Sequence, residues 1–348
     1  MRFYALDIIR FCAAFAVVLY HYTSRYDSVA FPVLSNITKY GYLGVPLFFM
    51  ISGFVITLSA HSRTAVEFGI SRFVRLYPAY WAGVTFTGIV VILFGGEIGV
   101  AQYLVNLTML NDYLGYANID GVYWTLQAEL KFYACVFILL FLGIFDKIRI
   151  WLGIWMITTI VYLFFKQPFF MGWFITPFYS SFFIAGVAFY LRWREGSNWI
   201  NNLILILSMA VSSIYAYEQA SSFMSAPDSS SKLTAVFIIW GFYVLFLMLV
   251  QGKLDIKKSR SLLILGGLTY PLYLIHSRAG KLIIDQYKQH VSEEMLVILI
   301  IFLMLAVSFL IHIYLERRLS TPLKSFLLKN ASKFHIVGRG IQPTIGKE

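Results

Sequence analysis

The sequence predicts an all-α fold: a polytopic transmembrane helical bundle of about ten spans with both termini cytoplasmic. Three observations carry this expectation. Of the 348 residues, 59% are apolar and 13% are charged, about half the charge of a soluble domain, which carries roughly 25%. The apolar residues fall into runs of the length that crosses a bilayer as a helix, roughly 17–25 residues. Lysine and arginine gather in alternate connections between those runs, the pattern of the positive-inside rule. The composition excludes a water-soluble globule, and its hydrophobicity excludes disorder.

In order, the runs lie at 6–23, 41–60, 76–95, 121–142, 150–165, 170–191, 200–217, 232–250, 262–280 and 295–315. The fifth is short, and the ninth turns polar at its far end. They differ in motif and length, without the internal repeat that marks many transporters. The connection from His61 to Arg75 holds Arg63, Arg72 and Arg75. Later even-numbered connections hold Lys147 with Arg149, Arg192 with Arg194, and Lys253, Lys257, Lys258 and Arg260. On the opposite side, the 96–120 connection has Glu97, Asp112 and Asp120 and no Lys or Arg. The alternation implies a transmembrane domain over 1–320 and a basic cytoplasmic tail over 321–348. No connection is long enough to fold separately, so chemistry belongs to the bundle or its mouths.

The net charge of +11 would suggest a nucleic-acid partner in a soluble protein. Here the positive-inside connections account for it, so membrane lipid is the expected partner and nucleic acid is not. Cys12 and Cys135 both sit in apolar runs, without CxxC or zinc-finger spacing, and neither a disulfide scaffold nor a metal site is expected. Asp7 and Arg10 interrupt the first run and no small-residue cleavage site follows, so no removable signal peptide is expected.

A charge at the bilayer centre costs at least about 2.5–3.5 kcal/mol, which makes ionisable residues inside spans candidates for function. The first span holds Asp7, Arg10 and His21. At 3.6 residues per turn, Arg10 and His21 point within roughly 20° of one direction, about 16 Å apart along the axis. Asp7 lies one turn before Arg10, so the helix carries a polar stripe. Asp7 and Arg10 also suit an i,i+3 pair at the water boundary, and His21 a helix-end residue bonded to headgroups or backbone. In the fourth span Glu129 has Thr125 at i−4 and Tyr133 at i+4 on its face, while Lys131 points elsewhere. Glu129 is therefore expected to face a cavity. Trp124, beside Tyr123, fits an interfacial aromatic belt as well as a site. In the ninth span Pro271 interrupts the helix, and Tyr273 and His276 share a face. Arg72 and Arg75, read as standing just before the third span, make a double fork for phosphate at a helix N-terminus; they serve equally as positive-inside anchors.

Six blocks carry a resemblance. Leu6-Asp7-Ile8-Ile9-Arg10-Phe11-Cys12-Ala13-Ala14 leading to His21 resembles a first-helix LDxLRxxAA signature with a late histidine. Gly44 to Phe54 (GVPLFFMISGF) is similar to GVxLFFxISGF, and Arg72 to Pro78 to RxxRxxP. Tyr123 to Glu129 is similar to WSLxxE, while Tyr270 to His276 and Tyr314-Leu315-Glu316 match carboxy-terminal signatures. In this order over positions 6–316, they resemble the acyltransferase-3 family of integral-membrane O-acyltransferases, in its membrane-only form. One departure is that the family's WSLxxE is usually followed by a second acid and Gln, where this chain has Leu130 and Lys131.

The resemblance implies a bacterial inner-membrane enzyme over 1–320. It would move acetyl from cytoplasmic acetyl-CoA, a donor substrate and not a bound cofactor, to a hydroxyl of a cell-envelope or exported polysaccharide, alongside other polysaccharide-biosynthesis proteins. His21 is expected as general base or as a transiently acylated nucleophile, with Glu129 orienting it. Arg10 either anchors the donor or offsets oxyanion charge, and Arg72 and Arg75 hold the donor's phosphates. Trp124, Tyr133, Tyr273 and His276 are expected to face substrate. A transporter or flippase would use the same buried charges without CoA, and a sensor or scaffold would use them for stability alone.

Overall fold

The computed structural model describes residues 3–24, 31–167, 172 and 177–333. The start of the expected sixth span (170–176, apart from 172) and residues 334–348 of the expected tail lie outside the described residues. Every regular element described is helical: α1 (Tyr4–Thr23), α2 (Pro32–Thr38), α3 (Gly44–Ala60), α4 (Ala65–Leu93), α5 (Val100–Asn106), α6 (Trp124–Phe141) and α7 (Ile148–Phe165). There follow α8 (Pro177–Glu195), α9 (Trp199–Phe223), α10 (Ser229–Val250), α11 (Arg260–Ile275), α12 (Ser277–Tyr287) and α13 (Glu293–Ile311). A π-helical turn, His312–Glu316, then joins α13 to α14 (Arg317–Lys333).

The all-α bundle expected from composition is what forms. Among the described residues, eight helical stretches are long and apolar enough to cross a membrane: Tyr4–Thr23, Pro32–Ala60, Ala65–Leu93, Gly121–Phe141, Ile148–Phe165, Trp199–Phe223, Ser229–Val250 and Glu293–Ala331. The other two expected spans correspond to α8 and α11. α8 has less need of hydropathy because Ser180 to Leu191 are all buried, so it faces protein more than lipid. α11 has 16 residues and ends at Ile275, four residues after Pro271, where the expected run continued to 280.

The third expected span also begins earlier. Thr64 and Glu67 form a capping box: the Glu67 amide donates to Thr64 Oγ1 at 3.3 Å and the Thr64 amide to Glu67 Oε2 at 2.9 Å. Two otherwise unmatched donors are satisfied, and helix starts at Ala65. Arg72 and Arg75 therefore ride on the body of α4, two to three turns in. The helix N-terminus expected to assist them is not beside them.

Close helix approach sets the interior. Where α3 crosses α8, a Cβ on Gly53 would meet the Phe183 carbonyl oxygen, and one on Gly186 the Met50 carbonyl oxygen. Small residues at such crossings let backbones touch, which is how membrane helices gain packing energy without a hydrophobic drive. On the other side of α3, α1 lies along α11, with Asp7 against Gly266. α1, α3, α4, α6 and α11 thereby enclose the polar residues of the interior.

Candidate active site

Among the described residues, cavities follow one another through this interior, and three of them share wall residues in series. The widest, about 800 Å3, is lined by Asp7, Arg10, Arg75, Arg260, His312 and Arg317 among others. It shares Arg10, Val55, Arg75 and Gly266 with a central cavity of about 280 Å3. The central cavity shares Val45 and Tyr273 with a third, of about 230 Å3, whose walls include His21, Trp124, Tyr179, Tyr215 and Ser277. Arg10 and His21, on the one stripe of α1, thus open into successive cavities.

Glu129 does face a cavity, the central one. Its Oε1 accepts hydrogen bonds from Ser52 Oγ at 2.7 Å and from the Tyr133 hydroxyl at 2.6 Å. Two donors on one oxygen satisfy a carboxylate that α6 carries into the bundle. Arg10 shares this cavity and lies in the field of Glu129, Asp7 and Arg75. Thr125, Glu129 and Tyr133 come together as their i,i+4 spacing predicts; Ser52, from α3, is a partner that no spacing announces.

Arg72 and Arg75 line the central cavity by different means. Arg72 donates from Nη2 to Ser71 Oγ at 3.1 Å and Ser59 Oγ at 3.4 Å, while its guanidinium carbon lies 5.9 Å from the ring centres of both Phe68 and Tyr133. Arg75 donates from Nη1 to Glu316 Oε1 at 3.0 Å. Glu316 is buried, and its Oε2 lies 2.6 Å from His312 Nδ1. Only Arg75 of the pair reaches the widest cavity, where Arg260 and Arg317 join it. From the sequence Arg260 is only a charge of an even-numbered connection; Arg317, directly after the π-helical turn, meets it in this cavity.

Neither Glu129 nor Arg10, Arg72 or Arg75 is among the residues lining the His21 cavity. The ring it packs against is His276, with centroids 5.1 Å apart and planes at 65°; Tyr20 lies at 5.2 Å on another side. His276 is fully buried, and its Nδ1 lies 2.9 Å from the Tyr273 carbonyl oxygen. Tyr22, on α1, donates to the His276 carbonyl at 2.6 Å. The Tyr273 hydroxyl shares a 2.8 Å hydrogen bond with Thr125 Oγ1, which fixes Tyr273 between the central and histidine cavities.

The four residues expected to face substrate divide accordingly. Trp124 and Tyr273 line the His21 cavity, His276 stands against His21, and Tyr133 belongs to the Glu129 cluster. Tyr42, Tyr179 and Tyr215 join the histidine cavity unforeseen. Trp124 and Tyr179 have centroids 4.9 Å apart, and Tyr179 and Tyr215 5.0 Å.

One further latch braces this end. Asp120 is fully buried; its Oδ1 accepts from the Val122 amide at 3.2 Å and its Oδ2 from the Arg278 amide at 2.8 Å. Arg278 returns a bond from Nη1 to the Ile119 carbonyl at 2.8 Å. Burial pushes the Asp120 carboxyl up to about 6, against the opposing pull of the Arg278 and Val122 amides. The pair ties the 96–120 connection to the start of α12, directly after His276.

Comparison with known proteins agrees with this architecture. The family model described as "Acyltransferase domain" matches residues 3–313. Three relatives align with parts of the chain. "Putative acetyltransferase ORF330" of Acidianus two-tailed virus is 24% identical over 297 residues, 81% of this chain and 82% of the viral protein. "Nodulation protein 10" of Rhizobium leguminosarum bv. viciae is 30% identical over 112 residues, 26% of this chain and 30% of its own length. "Acyltransferase MdmB" of Streptomyces mycarofaciens is 28% identical over 146 residues, 38% of each chain. No solved structure matches. With the family model spanning nearly all of the bundle, this chain belongs to the acyltransferase-3 family of membrane acyltransferases.

Proposed function

We propose that this chain transfers acetyl from cytoplasmic acetyl-CoA to a hydroxyl of a cell-envelope or exported polysaccharide, in the inner membrane of a bacterium, with His21 as general base. The observation that carries the reading is the series of three cavities joining a guanidinium-rich end to His21. A CoA thioester has phosphates at one end, a long and mostly uncharged arm, and the reactive carbon at its tip. The wide cavity suits the first, the central cavity the arm, and the histidine cavity the meeting with acceptor.

Phosphates favour fixed guanidinium groups, which bind their oxygens by charge-assisted, bidentate hydrogen bonds. Arg75, Arg260 and Arg317 supply these in the wide cavity, and Arg72 borders the passage beyond it. Arg10 and Glu129 line that passage too, in the cavity next to the imidazole's and outside it. This favours Arg10 as donor anchor over oxyanion stabiliser, with Glu129 holding the local charge in balance.

At His21 the acceptor hydroxyl gives its proton to the cavity-facing ring nitrogen as its oxygen attacks the thioester carbon. Collapse of the tetrahedral intermediate breaks the C–S bond. The thiolate takes the proton back from the imidazolium, so ester and CoA thiol leave and His21 is neutral again. A neutral imidazole accepts a proton on one nitrogen and returns it from the same atom, which suits both transfers. The aromatic wall of Trp124, Tyr179 and Tyr215 offers flat faces for a sugar ring.

The test uses purified protein in detergent, acetyl-CoA labelled in the acetyl group, and surface polysaccharide of the source cells stripped of esters by mild alkali. Label appearing in the polysaccharide and released again by alkali supports the reading. Absence of any ester, with movement of polysaccharide or its precursors across proteoliposomes, would instead make the chain a transporter.

A further inference from the structure

We infer that His276 is the positioning residue of the catalytic centre, the hydrogen-bond acceptor that fixes the His21 ring; the inference rests on the proposed role of His21. The starting point is the hydrogen-bond inventory of the buried ring. Nδ1 of His276 faces a carbonyl oxygen, that of Tyr273, at 2.9 Å, and a carbonyl only accepts, so Nδ1 carries the proton. Nε2 is buried and has no hydrogen-bond partner among the described residues. An imidazolium would need an acceptor at both nitrogens, and this site supplies one. His276 is therefore neutral, with a lone pair on Nε2.

A buried lone pair without a donor is an anomaly that calls for an explanation. The ring in contact with His276 is the one proposed to do chemistry: the two centroids are 5.1 Å apart and the planes stand at 65°. Edge-to-face contact at that separation lets a ring N–H of His21 turn toward the Nε2 lone pair. His276 itself has little freedom. Its carbonyl is held by Tyr22 at 2.6 Å, its Nδ1 by Tyr273, and Arg278 two residues on is tied to Asp120.

The consequence for His21 is a defined tautomer. With one nitrogen donating to His276, the other presents its lone pair to the cavity and can accept a proton from the acceptor hydroxyl. As that proton arrives, the N–H facing His276 becomes more acidic and its hydrogen bond strengthens, and no second proton moves. This is the orienting task that a carboxylate performs in a Ser-His-Asp triad. A neutral imidazole performs it without placing a second charge in the membrane interior, where charge is costly. Glu129, engaged by Ser52 and Tyr133 in the next cavity, is then released from that task.

Two substitutions separate this role from a structural one. His276→Leu and His276→Gln both remove the Nδ1 donor to Tyr273, so any structural loss is common to them. Only glutamine keeps an acceptor near the place of Nε2. With labelled acetyl-CoA and alkali-stripped source polysaccharide, His276→Leu is expected to lower kcat about 10²-fold, the lower end of what general acid–base catalysis contributes. The KM for acetyl-CoA should stay at the parent value, and His276→Gln should restore most of the rate. Equal rates in parent and His276→Leu, or equal loss in both variants, would overturn the inference and leave the acyltransferase reading standing. A parent protein that forms no ester overturns both.

Discussion

Arg75 on α4 donates to Glu316 over 3.0 Å, across 241 residues of sequence. The contact joins the third expected span to the π-helical turn of the last, and His312 grips the other oxygen of the same carboxylate at 2.6 Å. Glu316→Ala leaves the guanidinium and the imidazole without their shared acceptor. The expected cost is about 0.5–1.5 kcal/mol, the net worth of a hydrogen bond, because the Arg75 left behind is partly exposed and can turn to water. It should appear as a lower midpoint of thermal unfolding in detergent, with Glu316→Gln, which can still accept from Arg75, falling less. An alanine variant as stable as the parent would show that the contact holds nothing together.

The crossing of α3 and α8 makes a second stability prediction. A methyl group at Gly186 meets the Met50 carbonyl and the Gly53 backbone, neither of which can swing aside as a side chain would. Gly186→Ala should therefore push the helices apart and destabilise by about 1–3 kcal/mol, the usual range for overpacking. The same change at Gly241, where a Cβ meets no described atom within 4 Å, should cost nothing. Thermal midpoints of the two variants decide the matter.

For the donor, the wide cavity makes a prediction that discriminates among ligand parts. Each charge-assisted hydrogen bond to phosphate is worth about 1.5–3 kcal/mol, and about 1.4 kcal/mol is tenfold in affinity. The double variant Arg260→Gln with Arg317→Gln should bind CoA at least about tenfold more weakly by calorimetry, with pantetheine, which lacks the phosphates, bound as before. Arg72→Ala with Arg75→Ala should also weaken CoA. Unchanged CoA affinity in both double variants would remove these arginines from the donor site.

Asp120 gives the pH dependence. Its carboxyl sits at about 6 in the folded protein against 3.8 ordinarily. Between those values the folded chain keeps a proton that the unfolded chain releases, so this group's contribution to stability falls as pH rises from about 4 to about 6 and is level above. The unfolding midpoint should follow that slope, and Asp120→Asn should flatten it. A parent profile with no slope in that window would contradict the assignment.

The bundle itself was legible because lipid imposes composition directly: long apolar runs and sorted charge leave few alternatives to helices. Local constellations were legible for the same reason of geometry, since Thr125, Glu129 and Tyr133 share a helix face whatever surrounds them. The start of α4 is written in its capping box, Thr64 with Glu67, and not in the apolar run, which begins later. Contacts between distant helices left no periodic trace. Nothing in the spacing of His21 and His276, of Ser52 and Glu129, or of Arg75 and Glu316 marks them as neighbours; only the packing of α1 on α11, α3 on α6 and α4 on the π-helical turn does so. Glu129, expected to orient His21, lines the central cavity, and His21 lines the next one.

The most direct test of the account is a paired measurement on His21→Ala: acetyl-CoA affinity by calorimetry and acetyl transfer to alkali-stripped source polysaccharide. Donor affinity should equal the parent's, because the wide and central cavities are untouched, and transfer should fall by about 10²–10⁴-fold. Transfer at the parent rate by a variant that still binds acetyl-CoA would take His21 out of the chemistry and contradict the account at its centre.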